Sequence, residues 1–302
     1  MVPPAEPLVG SAPSVGPGAS GGAGPRPGEV ASLLEQLLRR SGTDDAVSRA
    51  RQVAYWLQPV LVSMGQVRQQ VGEQHGDALV HHRCLLRLRG PAPAASSDLE
   101  EPGRLRTRVQ VRGSRAGWEL LHASTCWAAA GPQPPQVVHE LARRREGQAA
   151  VVTAPRPSAA PAVSSSQRLV LVPLDLTDVR AWAQASGDHN LLHLQPGWAQ
   201  RLGLAAGERE VVAHGLLLAA LSLAVVLPHE QAADLRFLRP LPLAAGVPAQ
   251  VGVDPAGGVW GAGQRLLRRR DGGAAPGSGA GGPALAVGQD AAAWCAYTQP
   301  SI

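Results

Sequence analysis

The sequence contains no lysine, one asparagine (Asn190), one phenylalanine (Phe237), one isoleucine (Ile302), two tyrosines and two methionines. The scarce residues are those of A/T-rich codons, so the pattern reads as the imprint of a GC-rich genome. The abundance of alanine, glycine, proline and arginine is then its complement. That origin changes the meaning of the formal net charge of +5. Such a charge would ordinarily direct attention to nucleic acid or anionic membranes. Here the arginines are scattered, no basic stripe interleaves with aromatics, and the densest run, Arg268 to Arg270, reads as a solvated strand end beside Asp271. Nucleic-acid binding is the weaker reading. The three cysteines, Cys84, Cys126 and Cys295, form no C-x-x-C pair, which fits free thiols in a reducing compartment better than a disulfide scaffold or a zinc knuckle.

There is no apolar signal-peptide core, and the first thirty residues carry Arg26 as their single positive charge. This argues against secretion and against a typical mitochondrial presequence and leaves a chloroplast transit peptide open. The expected location is cytoplasmic, or an organelle (mitochondrion or chloroplast) if the source is eukaryotic. The longest apolar stretch, the thirteen residues Gly215 to Leu227, is too short to span a bilayer and suits a buried helix.

Residues 1–29 are built from proline, glycine, alanine and serine and are expected to be disordered. A second such stretch, Thr153 to Gln167, divides the chain into a first half (30–150), a linker (151–168) and a second half (169–302). A third, Gly272 to Pro283, reads as a flexible hairpin connection. In the first half, Arg104 to Arg112 alternates, with Leu105, Val109 and Val111 on one face, the pattern of a half-buried strand. Gly113 to Gly117 reads as a turn and Trp118 to Trp127 as the returning strand. Ahead lie a strand from Leu79 to Leu88 and a helical segment from Tyr55 to Val67, interrupted near Pro59. The second half repeats this order: an apolar helix, then "DLRFLRPLPLAAG", "VPAQVGVD", "GQRLLRR" and "ALAVGQDAAAW". A helix apolar all round must be covered on most sides. The expectation is therefore α+β: two like modules, each a curved antiparallel sheet wrapped around a central helix.

The segment "SGDHNLLHLQPGW", 186–198, holds the lone asparagine between an aspartate and two histidines. Thr177 is a good N-cap for a helix from Asp178 to Ser186, Gly187 a good left-handed stop, and Pro196 suits the first turn of a second short helix ending near Gly203. Asp188 and His193 then lie on a tight turn and can converge on one small volume, with Asn190 bracing the turn through side-chain to backbone hydrogen bonds. A carboxylate and an imidazole around one water form a general acid/base pair. Gly215 opens the apolar helix, where free backbone N–H groups can stabilise an oxyanion. His189 and His193 have the spacing of H-E-x-x-H, but Asn190 stands where the glutamate belongs and no third ligand is placed, so neither zinc nor any other cofactor is expected.

"SGDHNLLHLQPGWA" resembles the signature of MaoC-like dehydratases and R-specific enoyl-CoA hydratases, Ser-Gly-Asp-x-Asn-Pro-(aliphatic)-His, with Ala199 at the later small position and Trp182 at the preceding aromatic one. "VVAHGLLLAALS" resembles that family's Ala-His-Gly opening of the central helix, and "LRFLRPLPLAAG" its following strand. The resemblance covers 169–294. It implies a double hotdog and reversible syn hydration of a 2-enoyl thioester, carried by CoA or acyl carrier protein, to the (3R)-hydroxyacyl thioester. By position it makes Asp188 and His193 the catalytic pair and Asn190, with Gly187, their support. It makes the Gly215 amide the oxyanion donor, and Trp182, Phe237 and His214 substrate-binding, the last alternatively a helix cap. The remaining histidines, among them His81, His82 and His139, are expected to be structural or solvated.

Leu191 replaces the family's proline, and Gly203 to Gly215 is longer than usual. The first half has no counterpart of the Asp/His motif, so it resembles a degenerate hotdog that forms an intramolecular pseudo-dimer with the second; a homodimer is a further option. No nucleic-acid or membrane partner is expected. The rival from another class is a catalytically weak module that holds acyl chains or acyl carrier protein.

Overall fold

The computed structural model describes residues 24–71, 78–87, 105–115, 117–127, 136–144, 168–228 and 232–271. The expected linker from Thr153 to Gln167, the glycine-rich stretch from Gly272, the final strand, Cys295, Trp294 and His229 lie outside them. Two helices open the described chain. Helix α1 (Pro27–Arg40) starts with proline at its first turn and buries Val30, Leu34, Leu37 and Leu38, the spacing of an amphipathic helix. It begins inside the segment expected to be disordered through residue 29, because Pro27 is preset for the first helical turn. Helix α2 (Asp44–Val71) runs without interruption through Pro59. The expected break is absent: α2 buries Val53, Trp56, Leu57, Val60, Leu61, Met64 and Val67, and this packing on both sides of the proline outweighs one lost backbone hydrogen bond.

Four strands complete the first half: β1 (Ala78–Arg87), β2 (Leu105–Arg115), β3 (Trp118–Trp127) and β4 (Gln136–Arg144). The second half comprises β5 (Val170–Leu174), α3 (Leu176–Ser186), the single turns α4 (Leu191–Leu194) and α5 (Trp198–Arg201), β6 (Glu210–Val212), α6 (Gly215–Val225), β7 (Ala232–Phe237), β8 (Pro242–Ala244), β9 (Ala249–Val253), β10 (Val259–Gly261) and β11 (Gln264–Asp271). Nine strands form one antiparallel sheet in the order β2-β3-β4-β1-β7-β11-β10-β9-β5, and β6 pairs with β8 separately. In each half the strand that follows the long helix, β1 after α2 and β7 after α6, sits at the centre. There they pair with each other, Arg83 opposite Arg236 through Arg87 opposite Ala232. Arg83 reinforces the seam with bonds of 2.7 and 2.8 Å from Nε and Nη2 to the Asp234 carboxylate. This is the expected α+β double hotdog.

Helix α6 is buried from Leu216 to Ala224 and packs against α2, so one continuous core takes residues from both halves. A smaller cluster joins Trp118 and Ala142 of the first half to Leu192, Ala199, Leu202, Leu204 and Val212 of the second. Two expectations fail at the margins. Strand β2 runs past Gly113 to Arg115 with a register shift between Val111 and Gly113, and Val111 is 62% exposed. The last turn of α2 bonds to β2 at the Thr107 carbonyl, through Gln70, and Val109 still packs partly buried against the core. Arg269 is buried rather than solvated. Strand alternation turns it inward, where it donates to the Ser222 and Val226 carbonyls at the C-terminal end of α6, the former shared with the Val226 N–H. Cys84 and Cys126 are free thiols. None of the described helices is long and apolar enough to cross a membrane.

Without the first half, β7 would present an open edge and α6 an uncovered flank, a template for association. Residues 168–302 expressed alone are expected to be poorly soluble or to self-associate in sedimentation velocity, with solubility partly restored by residues 30–150 added in trans. A soluble monomeric fragment would show that the halves are independent.

Candidate active site

The loop that carries the motif is built between two rigid ends. Helix α3 starts at Leu176 rather than after Thr177, because Asp175 and Asp178 form a reciprocal capping box: each backbone N–H donates to the other's carboxylate, at 2.9 and 3.0 Å. Gly187 closes α3 with φ 72° and ψ 15°, the left-handed stop expected for glycine. Asp188 follows, its N–H donating to Ser186 Oγ at 3.2 Å. Instead of one helix with Pro196 in its first turn, α4 and α5 are separate single turns with Pro196 between them. Leu191, where the resembled signature carries proline, is the first residue of α4. An N–H there needs no helical partner, so the exchange costs little.

Asn190 is the N-cap of α4. Its Oδ1 accepts from the Leu192 N–H at 3.1 Å, and its Nδ2 donates to the Leu79 carbonyl on β1 at 2.8 Å. Its own N–H donates to Asp188 Oδ1 at 3.2 Å. Aspartate or serine could cap the turn, but neither supplies the carboxamide donor that ties it to the other half of the chain.

His193, on α4, donates from Nδ1 to the Val212 carbonyl at 2.6 Å, which selects the tautomer with a bare Nε2. His214 precedes α6 without a side-chain cap bond. Its Nε2 donates to the Asp188 backbone carbonyl at 3.1 Å, and its ring stacks on that of His193 with centroids 3.7 Å apart. His214 Nδ1 is buried with no hydrogen-bond partner among the described residues. Asp188, His193 and His214 each place one donor or acceptor atom within 4.8 Å of the others. Gly215 begins α6, and a Cβ there would stand 3.0 Å from the Phe237 ring, so the position admits no side chain without moving the phenylalanine. Trp182 lies on α3, fully enclosed in the core.

The first half supplies groups that nothing in the sequence marked. Arg68, near the end of α2, forms an ion pair with Asp188 Oδ1 and donates from Nη1 to the Gly187 carbonyl at 3.2 Å. His81 on β1 packs its ring 5.4 Å from that of Phe237 and meets His139 Nδ1 through Nε2 at 3.1 Å. His139 in turn reaches Ser63 on α2 at 3.1 Å. His81 and His139, expected to be structural or solvated, thus form a chain, half-buried at His81 and buried at His139, that ends beside the second half's motif.

Burial alone would push the Asp188 carboxyl up, but Arg68, then His214, His193 and the Asn190 N–H, outweigh it and hold the group well below the usual carboxylate range. Burial lowers His193, opposed by Asp188 and the Val212 carbonyl. It lowers His214 well below the ordinary value, helped by His193, and takes His81 to about 3 against the pull of Asp188. The site is one carboxylate and one guanidinium among neutral imidazoles. Three groups this close could face a cation, but the Arg68 guanidinium already neutralises the carboxylate, which disfavours a second positive charge.

His81, His139, His193 and His214 all have lower pKa values folded than unfolded, so on acidification the unfolded chain takes up protons first. Their contribution to stability is complete above about pH 6.5 and is lost as pH falls below it. The melting temperature should drop between pH 7 and pH 5; a flat profile would show that these imidazoles are not buried neutral. Asn190→Ala, which leaves the Leu192 N–H and the Leu79 carbonyl without this partner, is expected to lower unfolding free energy by about 1–3 kcal/mol in urea denaturation.

No protein-family model matches the sequence, and no curated protein matches it. Solved structures do. A MaoC-like dehydratase aligns over 82% of this chain and 93% of its own with TM-score 0.51 and 12% identity. HtdX of Mycobacterium tuberculosis aligns over 82% and 94% with TM-score 0.47 and 17% identity. The full-length peroxisomal multifunctional enzyme type 2 of Drosophila melanogaster aligns over 80% of this chain and 45% of its own, with TM-score 0.48 and 14% identity. The nine-stranded sheet, its central seam and its paired helices thus have the double-hotdog fold of a MaoC-like dehydratase.

Proposed function

We propose that the protein is a hydro-lyase that reversibly hydrates 2-enoyl thioesters of CoA or acyl carrier protein to (3R)-3-hydroxyacyl thioesters. The observation that carries this reading is the pairing of an ionised Asp188 with a neutral His193 whose Nε2 is bare, a carboxylate oxygen and a ring nitrogen of the two lying within 4.8 Å. Two groups at that separation both reach one water at hydrogen-bonding distance. In the hydration direction Asp188 accepts one proton of the water in a hydrogen bond and orients it, while His193 Nε2 removes the other. The oxygen bonds to C3 as the C2=C3 π bond breaks, and its electrons move into the thioester as an enolate. The Gly215 N–H, at the first turn of α6 where no helical acceptor exists, donates to that oxyanion. The imidazolium then returns its proton to C2 on the same face, so one water is added and His193 ends neutral. His214 stacks against His193 and holds the Asp188 backbone, and Phe237 shields the Gly215 turn.

Loss of absorbance of a short trans-2-enoyl-CoA in the ultraviolet tests the activity directly. Asp188→Asn and His193→Ala should each leave a folded chain and lower the rate by about 10²- to 10⁴-fold. Asn190→Ala should lower kcat more than it changes KM, since Asn190 holds the loop and does not touch the acyl group. A folded Asp188→Asn or His193→Ala with more than about a third of the parent rate removes that residue from the mechanism. A parent protein that binds the enoyl-CoA without turnover would favour the acyl-holding module instead.

A further inference from the structure

The half of the chain that lacks the Asp/His motif nevertheless reaches the site with a charged side chain. Arg68 lies on α2, 120 positions before Asp188, and is mostly buried, its side chain 13% exposed. It makes two contacts with consecutive residues of the loop: an ion pair with Asp188 Oδ1 and a hydrogen bond to the Gly187 carbonyl. Asp188 Oδ1 also accepts the Asn190 N–H, so this oxygen is held from both halves of the chain.

We propose that Arg68 is a positioning residue, through which the first half fixes the Asp188 carboxylate and the Gly187 turn in the geometry the water site requires. The proposal rests on the hydratase reading for its catalytic consequence, but not for its structural one. A planar guanidinium offers several donors in a rigid fork and can hold a carboxylate oxygen and a backbone carbonyl at once; an ammonium presents a single point charge. The other charged or titratable groups around Asp188 are His193 on α4, His214 before α6 and His81 on β1, all neutral when buried. Arg68 is therefore the cation that keeps Asp188 an acceptor. Without it the carboxyl loses the largest of the influences that oppose burial, so the protonated form is favoured, and a protonated Asp188 would donate to the water instead of accepting from it.

The test uses the full chain and two variants. Arg68→Gln is close in shape, keeps a donor and removes the charge; Arg68→Lys keeps the charge and loses the fork. Carbon-13 NMR of labelled aspartate, with Asp188 assigned by difference against Asp188→Asn, reads the carboxyl directly and needs no substrate. In Arg68→Gln, Asp188 is expected to titrate at higher pH than in the parent, and Arg68→Lys to return it toward the parent value. In parallel, kcat of Arg68→Gln should fall on the order of 10²-fold, the cost of a reacting group displaced by about an ångström, with KM little changed. The acid limb of its kcat/KM profile should move to higher pH.

An unchanged Asp188 titration in folded Arg68→Gln overturns the proposal whatever the activity does. A parent without hydratase activity whose Asp188 titration still shifts in Arg68→Gln overturns the functional reading and leaves the positioning role standing. If Arg68→Gln does not fold, Arg68→Lys decides alone: the proposal requires a lowered kcat at nearly constant KM, and a Lys variant with parental kcat overturns it.

Discussion

The antiparallel pairing of β1 with β7, held by ladder bonds from Arg83 to Arg87 and by the Arg83–Asp234 ion pair, turns two short sheets into one of nine strands and lays α2 beside α6. Neither half can bury its helix as well alone, because α6 is apolar around its whole circumference and the flank away from its own sheet is covered by α2. The same seam sets β1 beside the motif loop. Leu79 offers its carbonyl to Asn190 and His81 its ring to Phe237 because β1 lies next to β7, and Arg68 reaches Asp188 because α2 ends just before β1. A slip of one residue in the seam would turn Cys84 and Leu86 away from the core and would remove these contacts together.

The motif loop is stiff for reasons that can be named one by one. The capping box of α3, the left-handed Gly187, the Asn190 cap and the His193 to Val212 bond leave few soft torsions between Asp188 and His193. The electrostatics depend on this rigidity. Three imidazoles stay neutral because they are buried, and one carboxylate stays ionised because a guanidinium and a backbone N–H face it. Loosening the loop would admit water, weaken both effects and bring the groups back toward their ordinary solution behaviour. A site whose chemistry depends on a bare Nε2 beside a carboxylate needs the polar groups that select that tautomer as much as it needs the dyad itself.

Much of the fold was legible along the chain because it is written in short-range patterns. A period-two run marked β2, its returning segment marked β3, short apolar segments marked β1, β7, β9 and β11, the thirteen-residue apolar stretch marked α6, and the order of helix then strands, twice, marked the pair of modules. The failures have equally local causes. Thr177 was outcompeted as a cap by Asp175, whose partner Asp178 lies three residues on. Pro59 stayed inside α2 because burial on both sides outweighed one missing bond. Val111 emerged at the surface where the β2–β3 register shifts between Val111 and Gly113.

The sequence by itself determined the motif loop: Gly187, Asp188, Asn190 and His193 act within six or seven residues of one another, and short-range geometry decides which caps, which turns and which points inward. Tertiary structure alone decided the other wall of the site. Arg68 and His81 are ordinary in their own segments, one of many arginines and one of two adjacent histidines in a strand, with no spacing or periodicity to mark them. Their proximity to Asp188 is a property of the seam between β1 and β7, which brings together residues more than a hundred positions apart, and side-chain patterns that repeat every two or four residues carry no record of a contact at that range.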